Sequence, residues 1–188
     1  YLYKEAKKEF SDQFESINEE EFYNTINKVE PSLIRTEADE LTYSIHIIIR
    51  YEIEKLLIND KIEVSDLPRV WNQKYKEYLG VEPTSDKVGV LQDMHWSDGS
   101  FGYFPSYALG NLYGAQMLNK MVKDVPNVYD EIEMGDLSSV YKWLKENVHE
   151  CANLYDPSDL IKKITGEELQ AKYFIEYLDK KYKEIYNY

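Results

Sequence analysis

Cysteine, glycine, proline and long apolar runs are all scarce in this chain of 188 residues. Its apolar stretch from Ile45 to Ile49 is interrupted by His46 and is far shorter than the roughly 20 residues that cross a bilayer. Cys151 is the only cysteine, which excludes an intrachain disulfide and a cysteine-rich zinc module. These absences argue against a membrane partner and favour a reducing, cytoplasmic setting.

Basic residues are also few, with 22 Lys and Arg against 35 Asp and Glu and a net charge of −13. Because phosphate binding depends on basic patches, nucleic acid is not an expected partner. The first ten residues, YLYKEAKKEF, have no apolar run and no small-residue cleavage site, so they do not resemble a signal peptide. They also lack an initiator Met, and we expect the chain to be a piece of a longer protein.

Apolar residues recur near the helical period, and no stretch shows the alternation of a β-strand. The sequence therefore predicts an all-α, compact multi-helix fold, with residues 1–188 as a single domain. Asn127 to Met134 is either helical or a loop. The other predicted helices cover 2–14, 19–29 with Ser16 as cap, 32–60, 68–79 closed by Gly80, 106–124, 137–149, and two segments that begin at Asp156 and Thr165.

A polar stripe follows one face of the predicted helix 32–60. Its members are separated by steps of four, three, four and four: Arg35, Asp39, Thr42, His46 and Arg50. Such a stripe is usually a solvated face with ion pairs. It is flanked here by Tyr43, Ile47 and Tyr51, however, so a buried and paired stripe is the alternative.

Residues 89–113, GVLQDMHWSDGSFGYFPSYALGNLY, combine hydrogen-bonding groups with glycines and aromatic rings, which indicates an ordered turn that leads into a helix and forms a site. His95 is either an acid–base group or a core histidine bonded to a carbonyl. Tyr103 and Tyr107 could donate their hydroxyls to a carboxylate or an oxyanion. Arg35 could grip a carboxylate with Asp39 fixing its guanidinium, or the two could form a structural ion pair.

Metal ligands are not clustered in the sequence. The three histidines, His46, His95 and His149, are widely separated, and there is no HExxH motif. No metal ligand is therefore expected on this chain.

Two segments carry a resemblance to a known family. KVEPSLIRTEADELTY (28–43) and GVLQDMHW (89–96) resemble the IRxxAD and GxxQDxHW motifs of the carboxypeptidase Taq group, the M32 metallocarboxypeptidases. The segments RYEIEKLLI, LPRVWNQKYKEYLGVEP, SFGYFPSYALGNLYGAQ and ITGEEL are similar to the family in order and spacing, so the resemblance spans the chain.

The resemblance implies a cytoplasmic, mostly homodimeric, all-helical and zincin-like hydrolase with a long groove. Such a protease releases C-terminal residues from peptides with a divalent metal, zinc or cobalt. The family's metal ligands, two histidines of HExxH and a downstream glutamate, lie upstream of the region that this chain resembles. The chain would thus be the C-terminal portion of such an enzyme, and we expect it to bind no metal and to be inactive by itself.

Residue roles follow from the same resemblance. Arg35 would bind the terminal carboxylate of the peptide substrate and Asp39 would orient Arg35. Gln92, Asp93 and Trp96 would line the groove, and His95 would face the substrate as a catalytic group. The motif does not choose between Tyr103 and Tyr107 as the residue that assists the reaction. The alternative function is a noncatalytic helical domain that binds a peptide or a copy of itself.

Overall fold

The computed structural model describes all residues, 1–188, and contains helices and turns without a β-strand. The prediction of an all-α fold is confirmed. Nine α-helices, labelled α1 to α9 in chain order, span Leu2–Glu9, Glu19–Ile26, Glu40–Ile58, Leu67–Leu79, Pro105–Asp124, Val128–Glu133, Ser138–Asn147, Pro157–Thr165 and Lys172–Tyr186. None of these helices is long and apolar enough to cross a membrane.

Helix α3 begins later than its sequence pattern predicts. The predicted start at residue 32 was wrong, because residues Arg35–Glu37 form a separate 3₁₀ turn and Asp39 is the N-cap. Its carboxylate accepts a hydrogen bond from the backbone N–H of Thr42 at 2.8 Å and so satisfies one of the free donors at the helix start. The predicted stripe of five residues is thus divided between the turn, the cap and the helix.

Two other predicted caps were wrong, although α2 starts at Glu19 as predicted. Helix α2 is capped by Asn18 rather than Ser16, because Asn18 and Glu21 exchange backbone-to-side-chain hydrogen bonds at 2.9 Å each. Thr165 ends α8 instead of starting a new helix, because Gly166 follows it with a φ of +84°, a conformation that glycine adopts without strain. The predicted closure of α4 by Gly80 is confirmed, since this residue has a φ of +71°.

The contacts of the chain cluster in two compact units, and the prediction of a single domain stays a prediction. One unit comprises residues Ile26–Leu109 and contains α3 and α4. Its core lies where the apolar faces of these helices meet and consists of Ile49, Ile53, Val70, Trp71, Tyr75 and Leu79. Full burial of a large apolar side chain contributes about 1.5–3 kcal/mol to folding, so this core holds the two helices together.

The other unit comprises residues Tyr1–Thr25 and Gly110–Tyr188. Its core is formed by four buried side chains, Met121, Val128, Trp143 and Ile164. Gln116 is buried nearby, where its amide nitrogen donates to the hydroxyl of Thr165 at 2.9 Å and its amide oxygen accepts from the backbone N–H of Gln170 at 2.8 Å.

Candidate functional site

An Arg–Asp–Arg cluster lies at the centre of the unit 26–109. Asp93 follows a 3₁₀ turn, Val90–Gln92, and divides its two carboxylate oxygens between two arginines. Its Oδ1 accepts from Nη2 of Arg35 at 2.7 Å and from Nε at 3.1 Å, and its Oδ2 accepts from Nε of Arg50 at 2.5 Å. The residues are 58 and 43 positions apart in sequence, so the fold brings them together.

The three charged side chains are buried, so each needs the others to stabilise its charge. The side chains of Arg35, Asp93 and Arg50 are 9%, 10% and 0% exposed. Burial alone would raise the pKa of Asp93, but the hydrogen bonds and charges of the two arginines outweigh it and hold this pKa below its ordinary value. Burial alone would lower the pKa of Arg35, and Asp93 reverses that effect as well. Removal of Asp93 would leave two buried cations without their anion.

Arg50 is fixed by aromatic rings and by hydrogen bonds from its Nε and Nη1. Its guanidinium carbon lies 4.6 Å from the ring centroid of Trp71 and 5.7 Å from that of Phe104. Its Nη1 donates to the carbonyl of His46 at 2.8 Å and to the hydroxyl of Tyr75 at 3.0 Å. The buried alternative for the stripe is therefore the one found for Arg50 and His46, which are both fully buried.

The protonation of His46 follows from its partners. Arginine can only donate, so the Tyr75 hydroxyl accepts from Arg50 and has its own proton available for Nδ1 of His46, 3.0 Å away. With Nδ1 as the acceptor of that proton, the ring is neutral. Burial, with the neighbouring charge of Arg50, lowers the pKa of His46 to about 4, which agrees with this arrangement.

His95 and Tyr107 lie beside the Arg–Asp–Arg cluster. The guanidinium of Arg35 is 4.8 Å from the centroid of the Tyr107 ring, and the Tyr107 hydroxyl is 3.1 Å from Nε2 of His95. The Nδ1 of His95 is 3.8 Å from Oδ1 of Asp93. Tyr103 contacts the His95 ring with a centroid separation of 5.9 Å but is 51% exposed. The structure therefore gathers Arg35, Asp93, His95 and both tyrosines.

Other residues with predicted roles have different contacts. Asp39 bonds to the backbone N–H and hydroxyl of Thr42, both at 2.8 Å, whereas the carboxylate bonded to Arg35 is that of Asp93. The expected Arg35–Asp39 pair is replaced because Asp39 is the helix cap, and Asp93 lies where it can orient Arg35. The amide nitrogen of Gln92 donates to the carbonyl of Lys87 within its own loop. The groove roles predicted for Gln92 and Asp93 stay predictions.

Trp96 reveals a residue that the sequence reasoning missed. Its indole N–H donates to Oε2 of Glu54 at 2.9 Å, and the backbone N–H of Gly102 donates to Oε1 of the same carboxylate. Glu54 is 7% exposed. It could have been noticed because it follows Arg50 by four residues and extends the polar stripe. Tyr75 was also missed, since a tyrosine on an apolar helix face resembles any core residue.

No group of three or more His, Cys, Asp or Glu side chains is placed to hold a metal ion. The carboxylates nearest the cluster are already occupied: Asp93 by two arginines and Glu54 by two N–H donors. A hydrolytic zinc site needs three protein ligands and an open position, so the residues of this chain do not fit such a site.

Comparisons with known proteins identify the family. The sequence profile of the Carboxypeptidase Taq (M32) metallopeptidases matches residues 1–182, and the chain belongs to this family. It is 49% identical over 184 residues to Carboxypeptidase 1 of Bacillus subtilis (strain 168), a match that covers 98% of this chain. It is 42% identical over 167 residues to Thermostable carboxypeptidase 1 of Thermus thermophilus, which covers 89% of this chain.

A solved structure agrees with this assignment. The M32 carboxypeptidase from Deinococcus radiodurans R1 is 37% identical and superposes with a TM-score of 0.96 over 99% of this chain. The chain spans 37% of the length of the Bacillus subtilis relative, 33% of the Thermus thermophilus relative and 38% of the Deinococcus radiodurans chain. The similarity thus covers most of this chain and about a third of each relative.

Proposed function

We propose that this chain supplies the part of a metal-dependent carboxypeptidase that recognises the C-terminal carboxylate of a peptide. The proposal rests on the number of N–H groups of Arg35 that have no partner in this chain. Its guanidinium has five N–H groups, of which Asp93 accepts two and the hydroxyl of Tyr43, 3.3 Å from Nη1, accepts one. One N–H remains on each terminal nitrogen, which matches the two oxygens of a carboxylate.

The neighbours of Arg35 support distinct roles in this recognition. Asp93 orients the guanidinium, and Tyr107 positions it by stacking while its hydroxyl engages His95. Tyr103 is half exposed, and its hydroxyl is not engaged by a protein group, which favours Tyr103 over Tyr107 as the residue that reaches the peptide. His95, held between these rings, would face the substrate.

We propose the remaining features of the enzyme from its family membership. The metal, zinc or cobalt, would be held by residues that belong to a longer parent protein, and the isolated chain would not hydrolyse peptides. The single cysteine supports a cytoplasmic setting. A homodimer is proposed for the parent on the resemblance alone.

Calorimetry with a blocked dipeptide tests the carboxylate proposal on this chain. The free acid should bind at least about tenfold more tightly than the C-terminal amide, because a hydrogen bond to a charged group contributes about 1.5–3 kcal/mol. The Arg35→Gln variant should lose this preference. The control is Arg69→Gln, since Arg69 is exposed and pairs only with Asp66 on the surface.

Equal affinity of the wild-type chain for acid and amide would contradict the proposal. If both peptides then bound with the same measurable affinity, the noncatalytic peptide-binding alternative would be favoured. If Arg35→Gln kept the preference for the acid, another cation would have to bind the carboxylate.

A further inference from the structure

Glu54 is a buried carboxylate whose two oxygens are both taken by neutral N–H groups. Oε2 accepts from the indole of Trp96 at 2.9 Å and Oε1 accepts from the backbone of Gly102. A buried charge without a cation beside it is costly, so its stabilisation rests on these two donors. An indole N–H and a backbone N–H can only donate, which means that both oxygens must be free to accept.

The two donors lie at the ends of one tight turn, residues 96–102. The N–H of Ser100 in this turn donates to the carbonyl of His95, just before it, at 2.7 Å, and Gly99 and Gly102 have φ values of +83° and +79°. Glycine adopts these values without strain, so the backbone can fold back on itself. Glu54 therefore ties together the start and the end of the turn.

The residues of the candidate site flank this turn directly. His95 precedes Trp96, and Tyr103 follows Gly102. The His95 ring lies between Phe104, at a centroid distance of 4.4 Å, and Tyr107, at 5.8 Å. A shift of either end of the turn would move His95 or Tyr103 relative to Arg35.

Helix α3 holds the segment 93–102 at three points. Arg50 bonds to Asp93, and Glu54, one helical turn further on, bonds to Trp96 and Gly102. Arg50 thereby fixes the segment beside Arg35, whereas Glu54 fixes the part that carries His95 and Tyr103. The two anchors are rigidly related because both belong to one helix.

We infer that Glu54 is a positioning residue: through Trp96 and Gly102 it sets where His95 and Tyr103 stand relative to the carboxylate-binding Arg35. The consequence for recognition rests on the proposed function. The effect on the geometry of His95 does not depend on it.

The Glu54→Gln variant tests this inference with little change in size. Its side chain has one acceptor oxygen, so its NH₂ group must face one of the two N–H donors. The matched control is Glu52→Gln, on the same helix, where the carboxylate pairs with Lys74 and Tyr78 near the surface. Circular dichroism and urea unfolding establish that each variant is folded before it is compared.

Two measurements separate positioning from general destabilisation. The first is the NMR chemical shift of the His95 ring protons in the ligand-free chain, which nearby aromatic rings make sensitive to geometry. It should change in Glu54→Gln and stay as in the wild type in Glu52→Gln. The second is the affinity ratio of free-acid to amide dipeptide, which should fall about fivefold or more in Glu54→Gln and be unchanged in the control.

Unchanged His95 shifts in a folded Glu54→Gln protein would overturn the inference, as would an unchanged acid-to-amide ratio in a chain whose wild type prefers the acid. If Glu54→Gln does not fold, the Trp96→Phe variant tests the inference instead. It removes one of the two donors to Glu54 and should shift the His95 signals in the same way. If the wild type has no preference for the acid, the proposed function fails, and the His95 shifts alone decide the role of Glu54.

Discussion

One buried residue, His46, should make the stability of the unit 26–109 depend on pH. It is fully buried and neutral, with its Nδ1 bound to the hydroxyl of Tyr75 and the cation of Arg50 close by. Its pKa is about 4, against 6.5 for the free side chain. Because the folded state disfavours protonation, His46 contributes stability that is complete above pH 6.5 and is lost as the pH falls towards 4.

We expect the free energy of unfolding to fall by about 2 kcal/mol between pH 7 and pH 5 on account of His46. Urea unfolding at the two pH values measures it. His46→Asn should remove most of this dependence, since an amide does not titrate and its oxygen can accept from Tyr75. The exposed His149, changed to Asn, is the control and should leave the dependence intact. An equal slope in His46→Asn and wild type would show that another group titrates.

At the scale of elements, the N-terminus of α3 determines the different roles of two carboxylates, Asp39 and Asp93. Asp39 accepts from the backbone N–H and the hydroxyl of Thr42, and from the backbone N–H of Glu30 at 3.1 Å. It is therefore the cap of the helix and ties the preceding segment to it. Arg35, in the turn before the cap, faces Asp93 instead.

Asp39→Ala should destabilise the chain by about 1–2 kcal/mol in urea unfolding, as loss of a helix cap does. Asp39→Asn should lose less, because asparagine also caps helices. Neither variant should change the acid-to-amide ratio in peptide binding. An Asp39→Ala protein as stable as the wild type, but without preference for the acid, would instead assign Asp39 to the guanidinium of Arg35, as the sequence predicted.

At the scale of the whole molecule, the chain has the sequence of a metallopeptidase family without a metal-binding group among its own residues. The chain belongs to a family of metallopeptidases, yet its carboxylates and histidines form no group that could hold a metal. What it does contain is a cluster in which two buried arginines share the carboxylate of Asp93. The role proposed for this cluster is recognition of a peptide carboxylate.

Titration with zinc should give no one-to-one site in calorimetry, because no three ligands converge. Weak, salt-sensitive association with the acidic surface is expected from the net charge of −13 and should disappear at higher ionic strength. Substitution of His95 by Asn should leave the zinc titration unchanged. A tight one-to-one site that His95→Asn abolishes would show that His95 is a ligand.

Helical periodicity, the glycine that closes α4 and two motifs were enough to predict the fold class and the family. The all-α fold, the end of α4 at Gly80 and the family all follow from residues that are near one another in sequence. Periodicity and capping depend on local backbone geometry, so they can be read from a short segment.

Only the tertiary structure decided which partners the buried charges have. Asp93 rather than Asp39 holds Arg35, and Glu54 holds the turn that carries Trp96. These pairs join residues 58 and 42 positions apart. Helical spacing suggested Asp39 because the two residues were placed on one helix, but α3 begins at its N-cap, Asp39, and does not include Arg35. The pairing of buried charges depends on which segments pack together, and no local pattern contains that information.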